Sequence, residues 1–188
     1  MRDNLILKTS LDSSSAEFQK VEDLFKKTAL DKIVVKIERI QNSFQWQAYQ
    51  LKKQHLIEKN GDSLVNEMNL FHGTTKESCS AIERNGFNRN FAGKNGVSYG
   101  YGVYFAKNAV YSTKYAIPDK QNLCYMYMAR VLVGTYTIGK KGMKVPPPRF
   151  GSNKNDLFDS LVDSDSDPTI FVVFHDDQVY PEYLVTYY

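Results

Sequence analysis

The chain has 188 residues, 42% of them hydrophobic and 13% aromatic, with a net charge of +3; this fits one domain, or one plus a short appendage, and excludes a disordered chain. No apolar run reaches the roughly 18 residues of a membrane helix, and the charged N-terminus has no signal-peptide core. Two cysteines without a spacing pattern argue for a reducing, intracellular compartment (cytoplasmic, nuclear or both) and against a metal site.

Residues 1–14 read as a polar lead-in and residues 15–188 as a single domain. Phe18, Val21, Leu24 and Phe25 recur at helical spacing after a serine cap, predicting a helix from Ala16 to Thr28. Asp31–Ile40 reads as a strand. Phe44–Ile57 reads as a helix with Phe44, Gln47, Ala48, Leu51 and Ile57 on one face, closed by a turn at Asn60-Gly61-Asp62. A short strand Leu70–Thr74 leads into a helix Lys76–Arg84 with Cys79, Ala81 and Ile82 inward.

The stretch Phe91–Phe105 interleaves Gly93, Gly96, Gly100 and Gly102 with five aromatic residues. Glycine permits close backbone approach and aromatic rings offer flat faces, so the stretch reads as a lid ending in a binding strand; a plain surface loop fits the composition equally. Asn108 caps a predicted helix to about Tyr115, before Pro118. Leu123–Thr137 reads as one long strand with Tyr125, Tyr127, Ala129, Val131 and Val133 on one face. Lys140–Asn155 is a crossing without regular structure, long enough to be functional or simply mobile. A short strand within Leu157–Val162, an acidic turn Ser164–Pro168, the apolar strand Thr169–Phe174 and a last strand Tyr183–Tyr188 complete the chain. Strands come in runs without βαβ alternation, which predicts α+β with a largely antiparallel sheet.

Charge is divided: residues 61–155 carry thirteen Lys and Arg against five acids, and residues 156–188 carry eight acids and no Lys or Arg. The basic stretch suits an anionic ligand, unless the two stretches offset each other on the folded surface. Two nucleotide motifs are excluded. Gly100-Tyr-Gly102 lacks the third glycine of a dinucleotide fingerprint, and Gly139-Lys140-Lys141 lacks the Ser or Thr of a P-loop. His72, between an apolar strand and Gly73-Thr74, is placed like a site residue, although a lone strand-end histidine also suits a structural role.

Phe71-His-Gly-Thr74, Gly100-x-Gly-Val-Tyr-Phe105, Tyr111-Ser112, Thr169-Ile-Phe-Val-Val-Phe174 and Tyr180-Pro-Glu-Tyr-Leu184 together resemble the catalytic domain of the poly(ADP-ribose) polymerase family, in its diphtheria-toxin-like form. The resemblance runs from about Phe18 to Tyr188 and is nearest the mono-ADP-ribosylating, macrodomain-associated members. It implies two packed, mainly antiparallel sheets around an NAD-binding cleft, flanked by short helices. It also implies NAD as co-substrate, no metal, and acceptor proteins, the chain itself among the candidates. Nucleic acid is a possible acceptor but not a required one, no membrane is involved, and oligomeric state is left open. By resemblance, His72 bonds a ribose hydroxyl, Gly73 and Ser112 hold the nicotinamide carboxamide, Tyr104 and Tyr115 sandwich its ring, Tyr111 lines the pocket, and Thr74 meets the adenosine side. Asn88–Ser98 corresponds to the loop covering NAD.

Ile170 stands where polymerising relatives carry a glutamate, and isoleucine can neither accept nor donate a hydrogen bond. His72, Tyr104 and Ile170 therefore form the expected catalytic set, with single-unit transfer as its outcome. Tyr101 stands where close relatives often carry lysine between the glycines. Two other readings follow: a catalytically inactive NAD- or ADP-ribose-binding module, and transfer onto phosphorylated nucleic-acid ends.

Overall fold

The computed structural model describes residues 6–91, 97–149 and 154–188. Among these residues are four α-helices, Ala16–Lys26 (α1), Ser43–Asn60 (α2), Lys76–Asn85 (α3) and Ala109–Ser112 (α4). Nine strands follow the order Ile6–Ser10 (β1), Val34–Asn42 (β2), Glu67–Thr74 (β3), Val103–Ala106 (β4), Cys124–Leu132 (β5), Tyr136–Ile138 (β6), Ser160–Val162 (β7), Ile170–Val173 (β8) and Val179–Tyr187 (β9).

The ladder runs β1-β2-β9-β5-β3-β4-β8-β7-β6 and is antiparallel throughout except for β6 with β7. Eight register pairs join β3 to β5, but a single pair, Phe71 with Ala106, joins β3 to β4. The sheet is thus two halves hinged at one point, and they share a core: Tyr127 and Val131 of β5 cluster with Phe105, Val162, Phe171 and Val173 of the other half. Sequence alternation accounts for this directly, since Tyr125, Tyr127, Ala129, Val131 and Val133 all enter that cluster, whereas Met126 and Met128 face α1.

Ser15 accepts a hydrogen bond from the Phe18 N–H and starts α1, which buries Phe18, Val21 and Phe25. The stretch read as a polar lead-in contains β1, an edge strand paired with β2. Three element readings require correction. In α2 the inward residues are Gln45, Tyr49 and Leu56, while Phe44 and Leu51 lie 73% and 74% exposed. The reason is polar anchoring: Gln45 Nε2 donates to the Ile82 and Glu83 carbonyls at the end of α3, which fixes the helix rotation. In α3, Cys79 and Ile82 are buried but Ala81 is exposed. The expected long strand divides into β5 and β6 because Thr135 leaves the ladder; its N–H and hydroxyl both donate to Asp159 at 2.8 Å. Asp159 also accepts from Lys59 and Asn60, and these bonds outweigh burial and hold its carboxyl below the ordinary range.

Candidate active site

β4 lies between β3 and β8, so Phe71, Ala106 and Ile170 form one rank across three strands. His72 sits one residue beyond this rank on β3, and Tyr104 two residues before it on β4. Its imidazole is wedged against Phe87 and Phe105, with ring centroids 5.0 and 5.3 Å away. His72 Nδ1 lies 2.8 Å from the Tyr104 carbonyl oxygen. A carbonyl only accepts, so Nδ1 carries the proton and Nε2 of the neutral ring is left as an acceptor. Burial pushes the His72 pKa down, against the opposing effect of the Tyr104 bond. The result is a fixed tautomer with a free lone pair.

Main-chain direction alternates along a strand. Phe71 presents its carbonyl to the Ser112 hydroxyl at 3.0 Å, and Gly73, two residues on, shares that orientation past the last pair with β4. Among the described residues its N–H and C=O therefore have no strand partner on that side. A Cβ on Gly73 would stand 2.0 Å from the Ser112 carbonyl oxygen, so only glycine lets β3 pass this close to α4. Thr74 is buried at the end of β3, before the chain turns into α3.

Four phenols, those of Tyr99, Tyr104, Tyr111 and Tyr115, neighbour one another. The Tyr104 hydroxyl donates to the Gly100 carbonyl at 2.8 Å and accepts from the Tyr99 N–H at 3.0 Å. Burial raises its pKa, with the neighbouring Tyr115 adding to the effect. The Tyr111 and Tyr115 hydroxyls are 3.4 Å apart, and Tyr111 is raised by burial, by that contact, and by Tyr99 and Tyr104 nearby. Ser112 to Tyr115 hold their positions through a 3-10 turn, Thr113–Tyr115, that continues α4. Asn108 occupies the cap position of α4 but its side chain makes no capping bond, contrary to the sequence reading.

Of the Phe91–Phe105 stretch, residues 92–96, with Gly93 and Gly96, lie outside the described residues. Gly102 is required for packing within the protein: a Cβ there would stand 2.5 Å from the Val173 carbonyl oxygen of β8. Its close approach within the folded chain is thus to β8. Ile170 is 3% exposed. Sequence reasoning missed Asp163, which clamps the start of β8: its carboxylate accepts from the Thr169 N–H (2.9 Å), the Thr169 hydroxyl (2.6 Å) and the Ile170 N–H (2.9 Å). Burial raises its pKa, but these bonds dominate and leave it below the ordinary value. Three strong donors occupy it, so it makes a poor stand-in base for the missing glutamate. Glu182 is held in a bidentate pair with Arg130 on β5, at 2.8 and 2.6 Å. Among the described residues no His, Cys, Asp and Glu group could hold a metal ion, and no helix is long and apolar enough to cross a membrane.

A neutral histidine with Nε2 left as an acceptor, the glycine of β3 packed against Ser112, and a tyrosine cluster thus lie together where β3 and β4 meet α4. The family model for the poly(ADP-ribose) polymerase catalytic domain matches residues 15–156, and the chain belongs to that family. It is 46% identical to human protein mono-ADP-ribosyltransferase PARP14 over 176 residues, 93% of this chain and 10% of that protein. It is also 46% identical to mouse protein mono-ADP-ribosyltransferase PARP12, over 96% of this chain and 25% of that protein, and 39% identical to mouse protein mono-ADP-ribosyltransferase PARP10, over 94% and 19%. The chain thus spans between a tenth and a quarter of the length of these relatives.

Proposed function

We propose that the chain is an NAD-dependent mono-ADP-ribosyltransferase acting on protein side chains. The observation that carries the reading is the His72–Tyr104 bond, which fixes Nε2 as an acceptor next to the free main-chain edge of Gly73. The site residues fit NAD on chemistry: a carboxamide needs one donor and one acceptor in register, which Gly73 N–H and C=O provide, and the Ser112 oxygen keeps lone pairs for the amide N–H. Similarity to proteins named as mono-ADP-ribosyltransferases supports the same reading.

When bound, NAD supplies an ADP-ribosyl group on a leaving group that departs neutral from a cationic pyridinium. A strong general acid is therefore unnecessary. His72 Nε2 accepts from a ribose hydroxyl and orients the sugar. Tyr104 and Tyr115 present ring faces to the nicotinamide, with Tyr111 at the pocket wall, and Thr74 meets the adenosine side. Holding ring and ribose in fixed relation is a positional contribution to rate. Ile170 offers no lone pair to an incoming sugar hydroxyl, so a second unit is not added and the acceptor must bring its own nucleophile, for which an acidic side chain suffices.

Incubation with NAD labelled in its adenylate half, with and without candidate acceptor proteins, tests this. Covalent label is expected with the unaltered chain. A loss of at least about a hundredfold is expected for His72→Ala and for Tyr104→Ala. Label that stays wholly non-covalent would leave a binding module, and label on phosphorylated oligonucleotide alone would move the activity to nucleic acid. Ile170→Glu is expected to activate an acceptor hydroxyl if it folds, since it restores a lone pair at the cost of burying a carboxyl.

A further inference from the structure

We propose that the turn Lys140–Val145 is a docking surface for an acidic polypeptide segment of the acceptor. The inference rests on the transferase reading for its meaning, while its geometry is independent of NAD. Half of the acids of the C-terminal stretch are ion-paired within the protein: Asp156 with Arg149, Asp159 with Lys59, Asp167 with Lys107 and Glu182 with Arg130. Lys140, Lys141 and Lys144 are exposed, and among the described residues none of them has an ion-pair partner. They form an uncompensated positive patch within five residues.

That patch is built against the site. The Tyr101 N–H donates to the Met143 carbonyl at 2.7 Å, and the Met143 side chain packs with Tyr99 and Tyr104 on Leu161, Val172 and Phe174. The Gly139 N–H donates to the Val162 carbonyl at 2.8 Å, and Met143 N–H to the Lys140 carbonyl at 3.2 Å. Downstream, Arg149 grips Asp156 through two bonds and reaches Asn60 of α2. The backbone is therefore ordered before any partner arrives, and only the lysine side chains must be fixed on binding. Tyr101 (40% exposed) and Val145 (57% exposed) border the patch with apolar surface.

Two features favour a polypeptide over nucleic acid. Three lysines in one turn can meet two or three carboxylates, fewer than the roughly six to ten phosphate contacts of a typical nucleic-acid groove. A single exposed tyrosine is too little for a run of stacked bases. Lysine charges at a rim act chiefly by steering and register, so the interaction should weaken with salt.

The test compares the unaltered chain with K140E/K141E/K144E, and with the glutamine equivalent, by fluorescence anisotropy of a labelled glutamate-rich peptide and of a labelled 5′-phosphorylated single-stranded oligonucleotide. Release of nicotinamide from NAD is measured in parallel without peptide. The expected result is peptide binding that falls between about 50 and about 200 mM salt, at least about tenfold weaker in the glutamate variant, intermediate in the glutamine variant, with nicotinamide release unchanged. Equal peptide binding by all three proteins would overturn the proposal, as would a response confined to the oligonucleotide. If no protein released nicotinamide, the transferase reading would fail while the anisotropy still decided the docking surface.

Discussion

At the scale of single residues, the proton on His72 decides what the site can do. Protonation of Nε2 removes the one acceptor that the Tyr104 bond leaves free. Burial depresses this pKa, so the folded state holds the neutral ring more firmly than the unfolded chain does. The sign follows: stability from the neutral ring is complete above the unfolded histidine pKa of about 6.5 and is lost as pH falls through the lower folded value. Transfer rate at saturating NAD is expected to stay level from about pH 8 to about pH 6.5 and to decline only below the ordinary histidine range. A pH–rate profile checks this, and an acid limb centred above 6.5 would contradict it. His72, Gly73, Tyr104 and Ser112 stand out as candidates in the sequence because their motifs are contiguous, and the structure places His72 against Tyr104 and Gly73 against Ser112. Asp163 was not, since its bonds to Thr169 and Ile170 form only when the acidic turn closes.

At the scale of elements, the contact between β3 and α4 is the tightest part of the site. Gly73→Ala would drive a Cβ into the Ser112 carbonyl, so α4 must shift. A loss of about 1–3 kcal/mol by denaturant unfolding is expected, together with weakened NAD binding, because Ser112 and Tyr115 move with α4. The start of β8 depends on Asp163 in a different way. Asp163→Ala is expected to lower transfer to acceptor more than it lowers NAD cleavage in water, because it frees the backbone of Ile170 on the acceptor side. Equal losses in both reactions would mark Asp163 as structural only. Element types were largely readable from period and caps, as in α1 and β5. The rotation of α2 was not, because Gln45, a polar residue, faces inward to bond the end of α3, while Phe44 and Leu51 face outward. Hydrophobic periodicity cannot register an interface made by an amide.

At the scale of the whole molecule, a single register pair between Phe71 and Ala106 unites the two half-sheets, and the site residues cluster on either side of it. The charge division along the sequence persists in part on the surface: four acid–base pairs neutralise half of the C-terminal acids, and the Lys140–Lys144 turn remains beside Tyr101. That remainder could not be counted from sequence, because it depends on which charges meet across the fold. The proposed reaction is transfer of one ADP-ribose per acceptor site, oriented by His72 and without a glutamate. Intact-mass spectrometry of a protein acceptor after incubation with NAD, followed by mapping of the modified residues, tests it most directly. The account predicts mapped side chains each carrying one ADP-ribose, absent with His72→Ala. Chains of two or more units on one side chain, or the same modification with His72→Ala, would contradict it.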